Sequence, residues 1–123
     1  MNKFTTTVGD RIFVPKNWGW EDWLWNGPDY CGKLLFFYAG KRCSWHFHGI
    51  KDEVLFLQSG MITMKYSEND DLENAESVIM TPGMAFHVIP EMRHQMIAIE
   101  ESLMFEASTH HSEEDSIRVI KGD

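Results

Sequence analysis

The sequence predicts an all-β protein with a single domain. Its 123 residues are enough for one compact domain and leave little room for a second. Short apolar or alternating runs follow one another, separated by Gly, Pro, Asn and Asp, which is the pattern of strands and turns. No internal repeat and no low-complexity segment interrupts it. So many short antiparallel strands in a small chain favour a sandwich or a small barrel that closes its own edges.

Nine segments have the length and residue pattern of strands. They are residues 11–14, 33–38, 44–48, 53–59, 61–66, 76–80, 85–89, 95–99 and 102–108. Turn-forming residues lie between them, for example Ser59-Gly60 and Thr81-Pro82-Gly83. The acidic stretch 68–73 is interpreted as a solvated hairpin loop, since like charges at this density resist packing.

The two ends of the chain give less regular patterns. Residues 18–25 contain four tryptophans, for which a helical turn and aromatic packing across the open end of a barrel fit equally well. A short capped helical turn is predicted after Ser112, ahead of the final residues. We therefore expect a barrel core over 33–108, a Trp-rich segment over 11–30 and a tail over 109–123.

Composition and charge exclude several classes of function. Hydrophobic residues make up 43% of the chain and charged residues 24%, as in ordinary globular proteins. With 11 Lys and Arg against 19 Asp and Glu and no basic stripe, neither nucleic acid nor a membrane is expected as a partner. No signal peptide or membrane-spanning run is present in the sequence, so a cytoplasmic protein is expected. Cys31 and Cys43 are predicted to be buried and unpaired.

Histidines and one glutamate form a candidate metal site. His46 and His48 are two apart in a predicted strand, so both side chains point to the same face. A reversal over 49–52 returns the chain so that Glu53 lies beside the pair, and His94 is a plausible fourth ligand. Three imidazoles and one carboxylate suit a divalent transition metal ion such as Fe, Mn, Ni, Co or Zn, with positions left for water or substrate.

The spacing around these residues resembles the cupin superfamily. Gly40, five residues, His46-Phe47-His48, four residues, Glu53, six residues and Gly60 match the first cupin motif. Gly83 and His94 keep the usual separation of the second motif, although the segment 90–94 lacks the glycine expected between proline and histidine. The resemblance implies the double-stranded β-helix, or jelly-roll barrel, of the RmlC-like cupins, with one ion inside held by His46, His48, Glu53 and His94.

A narrower resemblance covers segments outside these motifs. Residues 16–19, 30–33 and 108–111, with Asp115 and Arg118, are similar to single-domain cupins related to type II mannose-6-phosphate isomerases. The chain ends without the Y-G-R sequence common in that group. The resemblance implies an aldose-ketose isomerase that acts on a small sugar or sugar phosphate.

Such a reaction assigns roles to further residues. The ion polarises a carbonyl and the adjacent hydroxyl, and Glu53 is the leading candidate for the base that moves the proton. His87 is the second candidate, as base or proton relay. Lys33 and Arg93 are predicted to bind an anionic group of the substrate. His110-His111 is interpreted as a surface or capping feature, with a second metal site as the alternative, and Asp115 with Arg118 as a local ion pair.

Two other functions stay open from the sequence. The same four ligands suit a non-haem Fe(II) dioxygenase, and a metal-supported module that binds a small molecule without turnover is also consistent. Iron-dependent O₂ consumption would indicate the oxygenase, and ligand-induced stabilisation without turnover the binding module. Apolar strand faces such as 34–37 favour a homodimer, as in many cupins.

Overall fold

Eleven β-strands form two antiparallel sheets in the computed structural model, which describes residues 2–123. The six-stranded sheet has the order β1-β2-β3-β10-β5-β8, and the five-stranded sheet the order β11-β4-β9-β6-β7. This arrangement confirms the all-β jelly-roll barrel. The strands are β1 (Ile12–Lys16), β2 (Gly19–Asn26), β3 (Cys31–Phe37), β4 (Trp45–His48), β5 (Glu53–Ser59), β6 (Ile62–Ser67), β7 (Glu76–Met80), β8 (Ala85–Val88), β9 (Arg93–Ala98), β10 (Ser102–Ser108) and β11 (Ser116–Ile120).

The core lies between the two sheets and follows from strand alternation. Every second residue of β3 is buried, so that Leu35 and Phe37 point inward while their neighbours point out. Trp18 stacks on Phe37 with ring centroids 4.4 Å apart. Cys31 and Cys43 are buried and free as predicted, and burial raises the pKa of the Cys43 thiol to about 12. Other buried apolar side chains are Leu55, Leu57, Ile62, Met64, Met80, Val88, Met96, Ala98 and Met104.

The Trp-rich segment is a strand, so its interpretation as a helical turn is wrong. It forms β2, which pairs with β1 on one side and with β3 on the other. Trp20 lies outside the barrel and stacks on Phe36 at 5.3 Å, whereas Trp23 points inward. Gly19 permits the close approach of these strands, because a Cβ there would collide with the backbone of Phe36. β3 is apolar on both faces, so a pairing partner along its edge stabilises it.

The tail contains the helical turn predicted after Ser112, and it also adds a strand to the barrel that the sequence did not predict. One 3-10 turn over Glu113–Asp115 leads directly into β11, which pairs with β4. The Asp115 carboxylate accepts backbone N–H groups of Gly49, Ile50 and Lys51 at 2.9 to 3.0 Å. It therefore holds the reversal before β5, and the predicted ion pair with Arg118 does not form.

The outer face of the six-stranded sheet is aromatic. Phe13, Trp20, Phe36 and Tyr38 form a continuous row with ring centroids 5.3 to 5.6 Å apart. Such a face is consistent with an interface, and the homodimer stays a prediction, as does the cytoplasmic location. Residues 2–123 contain no helix long and apolar enough to cross a membrane.

Candidate metal centre

Three histidines from neighbouring strands converge on the inner face of the five-stranded sheet. His46 and His48 lie on β4 and His94 on β9, where His46 is the cross-strand partner of His94. The ring centroids of His46 and His94 are 4.2 Å apart, and one nitrogen of each of the three rings lies within 4.8 Å of the other two. The parity of a strand explains the pair on β4, since residues two apart share a face.

Glu53 reaches the same point from the opposite sheet. It begins β5, and its Oε1 lies 3.2 Å from His94 Nε2 while its Oε2 lies 4.0 Å from His48 Nε2. The side chains of Glu53, His48 and His94 are almost fully buried. The structure thus brings the three predicted histidine ligands together, and it places the fourth predicted ligand, Glu53, beside His94 and His48.

The loop before His94 compensates for the missing glycine of its motif. Glu91 adopts the left-handed conformation with φ 70°, which glycine adopts at much lower cost. Its backbone N–H donates to the carbonyl oxygen of His48 at 2.6 Å. This bond ties the loop to β4, so His94 still faces the other histidines.

The hydrogen bonds of two rings determine which of their nitrogens is left for a ligand. His46 Nδ1 lies 2.9 Å from the Ser44 carbonyl oxygen and His94 Nδ1 lies 3.1 Å from that of Met92. A carbonyl oxygen only accepts, so each Nδ1–H donates, and Nε2 is the nitrogen that each ring has left for a ligand. Buried atoms without a hydrogen-bond partner among the described residues are His48 Nδ1, Glu53 Oε2 and His94 Nε2. A cation held by the three rings would satisfy His94 Nε2, and the donor set of imidazoles and a carboxylate fits a divalent transition metal.

The protonation states also suit metal binding. Burial, followed by the neighbouring histidines, places the pKa of His46 well below its usual range. Burial lowers the pKa of His48 to about 4. For Glu53, burial raises the pKa, but the close approach of His94 Nε2 at 3.2 Å and the charge of Lys51 outweigh it, so the net pKa is lowered. At neutral pH these two imidazoles are therefore neutral and the carboxylate is ionised, as ligation requires.

The metal-free protein should lose stability in acid because of His48. Its pKa is about 4 when folded against 6.5 when exposed, so the unfolded chain binds the extra proton between these values. The free energy of unfolding should fall as pH decreases from about 6.5 to about 4, by on the order of 3 kcal/mol from this residue. Urea unfolding in a chelator across this pH range measures the effect. His48→Gln should reduce the slope of the pH profile, to which His46 also contributes, and His87→Gln, at an exposed site, should leave it unchanged; equal profiles for all three proteins would contradict the assignment.

A buried lysine connects the candidate ligands to a second carboxylate. Lys51 Nζ lies 2.6 Å from Glu106 Oε2 and 3.0 Å from Glu53 Oε2, the latter an ion pair without hydrogen-bond alignment. It also lies 3.0 Å from His111 Nδ1, which accepts, so His111 Nε2–H donates to Glu113 at 2.9 Å. Burial and the negative charge of Glu53 raise the pKa of Glu106, although Lys51 opposes this.

Sequence reasoning did not place Glu106 or His111 in the site. Glu106 occupies an inward position of β10, in phase with the buried Ser102 and Met104, and a charged residue in an apolar phase is a detectable signal. His111 is buried and lines the cavity, which corrects its interpretation as a surface feature.

Two predicted site residues lie elsewhere. His87 pairs with Val54 across β8 and β5, so it faces outward, opposite to Glu53. Its ring is 58% exposed and lies 2.6 Å from Asp52, so a role as base beside the histidines is wrong on geometric grounds. Arg93 points away from His94 next to it, covers the ring of Phe47 and pairs with Asp70 at 2.7 Å. It therefore does not contribute to the cavity.

The cavity has a volume of about 370 Å³, a size suited to a small molecule. Leu35, Leu55 and Met96 belong both to its lining and to the core. Lys33, the remaining predicted site residue, lines the wall and is buried, with Nζ 4.0 Å from the centre of the Trp23 ring and 3.5 Å from Glu21.

Comparison with known proteins gives a consistent fold. No protein-family model and no curated protein matches the chain. KdgF from Halomonas sp. superposes with a TM-score of 0.72 at 16% identity, over 88% of this chain and 95% of that one. An RmlC-like cupin from Shewanella frigidimarina gives 0.74 at 13%, over 92% and 96%. Oxalate decarboxylase from Bacillus subtilis gives a TM-score of 0.77 at 12% identity, over 92% of this chain and 31% of the enzyme. At these identities the likeness establishes a shared fold.

Proposed function

We propose that this chain, which has the cupin fold, is a metal-dependent enzyme that interconverts the aldose and ketose forms of a small sugar or sugar phosphate. One observation carries the proposal. His94 Nε2, a buried atom without a hydrogen-bond partner among the described residues, lies near His46, His48 and Glu53 in a cavity whose wall holds a second carboxylate, Glu106. The site therefore combines a place for a metal ion with a group able to accept a proton.

The ion would be held by the three histidines and Glu53. When bound, Fe, Mn, Ni, Co or Zn supplies a Lewis acid that polarises a carbonyl and its neighbouring hydroxyl. Three imidazoles and a carboxylate leave coordination positions for both oxygens of such a substrate. The buried walls exclude bulk water from the reacting carbons.

The proton must move between two neighbouring carbons, and the candidate carriers are the carboxylates of Glu53 and Glu106, which both contact Lys51. We assign the role of base to Glu53, through the carboxylate oxygen that would not bind the ion; this oxygen accepts the proton from one carbon and returns it to the next, so no net proton is gained or lost. Glu106 pairs with the same ammonium group, since its Oε2 lies 2.6 Å from Lys51 Nζ. Lys51 is a positioning residue, since its contacts restrain both carboxylates without reaching the three histidines.

The test is solvent-deuterium exchange under anaerobic conditions. Protein loaded with Mn(II) or Ni(II) is incubated in D₂O with a panel of aldoses and sugar phosphates, and products are examined by NMR. We expect a ketose that carries deuterium at the carbon that received the proton. Glu53→Gln should slow exchange by about 10²-fold or more while keeping much of the metal, and the matched control His87→Gln should leave exchange unchanged.

Each other outcome has a defined meaning. No conversion across the panel would contradict the isomerase. Iron-dependent O₂ consumption would support the dioxygenase instead, and ligand-induced stabilisation without turnover would support a binding module. If Glu53→Gln exchanges at the wild-type rate, Glu53 is not the base, and the same measurement on Glu106→Gln tests the second carboxylate.

A further inference from the structure

The charges around the cavity differ from those of the whole chain. The sequence has 19 Asp and Glu against 11 Lys and Arg, yet five of these eleven cations line this one cavity, beside five carboxylates. A divalent ion among the histidines would make the cavity net positive within an acidic protein. Such a field attracts small anions to the site.

The three more exposed cations of the lining, at the mouth of the cavity, form no ion pair with any described residue, whereas the two buried ones do. Lys51 contacts Glu53 and Glu106, and Lys33 lies 3.5 Å from Glu21. Within residues 2–123, no carboxylate lies within 4.0 Å of the charged groups of the three mouth cations. These three are Lys16, Arg118 and Lys121.

Arg118 has the most defined position of the three. In the pairing of β11 with β4 it is the direct partner of His46, so both side chains leave the sheet on the same face. Opposed Cβ atoms in such a pair are about 5 Å apart. A register shift follows between Arg118 and Ile120, an irregularity that often re-aims side chains beside functional sites. Asp115, the nearby acid, is occupied by the backbone of the reversal 49–51.

We propose that Arg118 binds an anionic oxygen group of the substrate, a carboxylate or a phosphate, while the rest of the substrate lies at the histidines. The planar guanidinium can donate two parallel hydrogen bonds to either group. Its place opposite His46 limits the distance between the anionic group and the reacting carbons, which selects small substrates. Lys16 and Lys121 add positive charge at the mouth. The inference rests on the proposed function for its substrate, and it replaces Arg93 as the anion-binding residue.

The test is calorimetric titration at low ionic strength with three probes that share a three-carbon polyol. The probes are glycerate, glycerol 3-phosphate and uncharged glycerol, and the full-length protein is titrated after chelation and again after addition of Mn(II). At least one anion should bind wild type about tenfold or more tightly than Arg118→Gln. Arg118→Lys keeps the charge but cannot donate two parallel hydrogen bonds, so it should bind the same anion with intermediate affinity. The control Lys41→Gln changes the net charge equally at an exposed position away from the cavity and should bind as wild type does.

The two anions separate the chemistries. Binding of glycerate alone identifies a carboxylate, and binding of glycerol 3-phosphate alone identifies a phosphate. Equal affinity of wild type and Arg118→Gln for both anions, or no binding of either, would overturn the proposal. Because titration of the chelated protein requires neither metal nor turnover, this failure is distinct from an absence of deuterium exchange, which would contradict only the isomerase.

Discussion

Replacement of His94 by alanine should abolish both metal binding and activity. His94 is fully buried, its Nε2 has no hydrogen-bond partner in residues 2–123, and the same atom lies 3.2 Å from Glu53. Loss of a residue that merely orients a metal ligand costs 10- to 100-fold in affinity, so loss of the ligand should raise the Kd for Mn(II) by more than about 100-fold. Elemental analysis of purified protein and titration with Mn(II) measure this directly.

The matched control is His87→Ala, which deletes an imidazole of the same size at an exposed site. It should retain wild-type metal content, because the ring of His87 lies outside the barrel. Urea unfolding of both variants in a chelator separates loss of metal from loss of fold. Unchanged metal stoichiometry in folded His94→Ala would mean that the ligands are misassigned.

Strand parity decides how far the site could be predicted from the sequence. The H-x-H spacing defines one face of a strand, so the approach of His46 and His48 could be predicted without coordinates. His87 lies on the strand that precedes His94 in the chain, but its pairing with Val54 turns it outward. Closeness to His94 along the chain does not place His87 in the site. Whether it shares a face with Glu53 depends on the register between β8 and β5.

The contacts around Lys51 were beyond the sequence for another reason. Glu106 and His111 come from a part of the chain more than 50 residues away, and only the closed barrel brings them to the lysine. Local pattern likewise failed for the Trp-rich segment, because its strand conformation is set by pairing with β3. Short apolar runs bounded by turn residues, such as β5 and β10, have the bounds that the sequence predicts.

Replacement of Lys51 by methionine should be the most destabilising single change in the cavity wall. The ammonium is 2% exposed and lies 3.0 Å or less from carboxylate oxygens of both Glu53 and Glu106. Methionine preserves most of the volume but leaves two buried carboxylates facing each other without a cation. Removal of one partner from a buried ion pair costs about 3–5 kcal/mol, a large part of the stability of a small domain. Urea unfolding at neutral pH in a chelator should show this loss, and Lys41→Met, at an exposed position, should show almost none.

A second substitution and the pH dependence distinguish this electrostatic cause from damaged packing. Adding Glu106→Gln to Lys51→Met removes one of the two uncompensated charges and should recover a substantial part of the lost free energy of unfolding. Burial and the charge of Glu53 already raise the pKa of Glu106, and without Lys51 this pKa should rise further. A carboxyl whose folded pKa exceeds its unfolded value holds the extra proton in the folded state, so stability falls as pH increases between the two values. The defect of Lys51→Met should therefore grow with pH above about 4.5, whereas a defect in packing would be independent of pH and would not respond to Glu106→Gln.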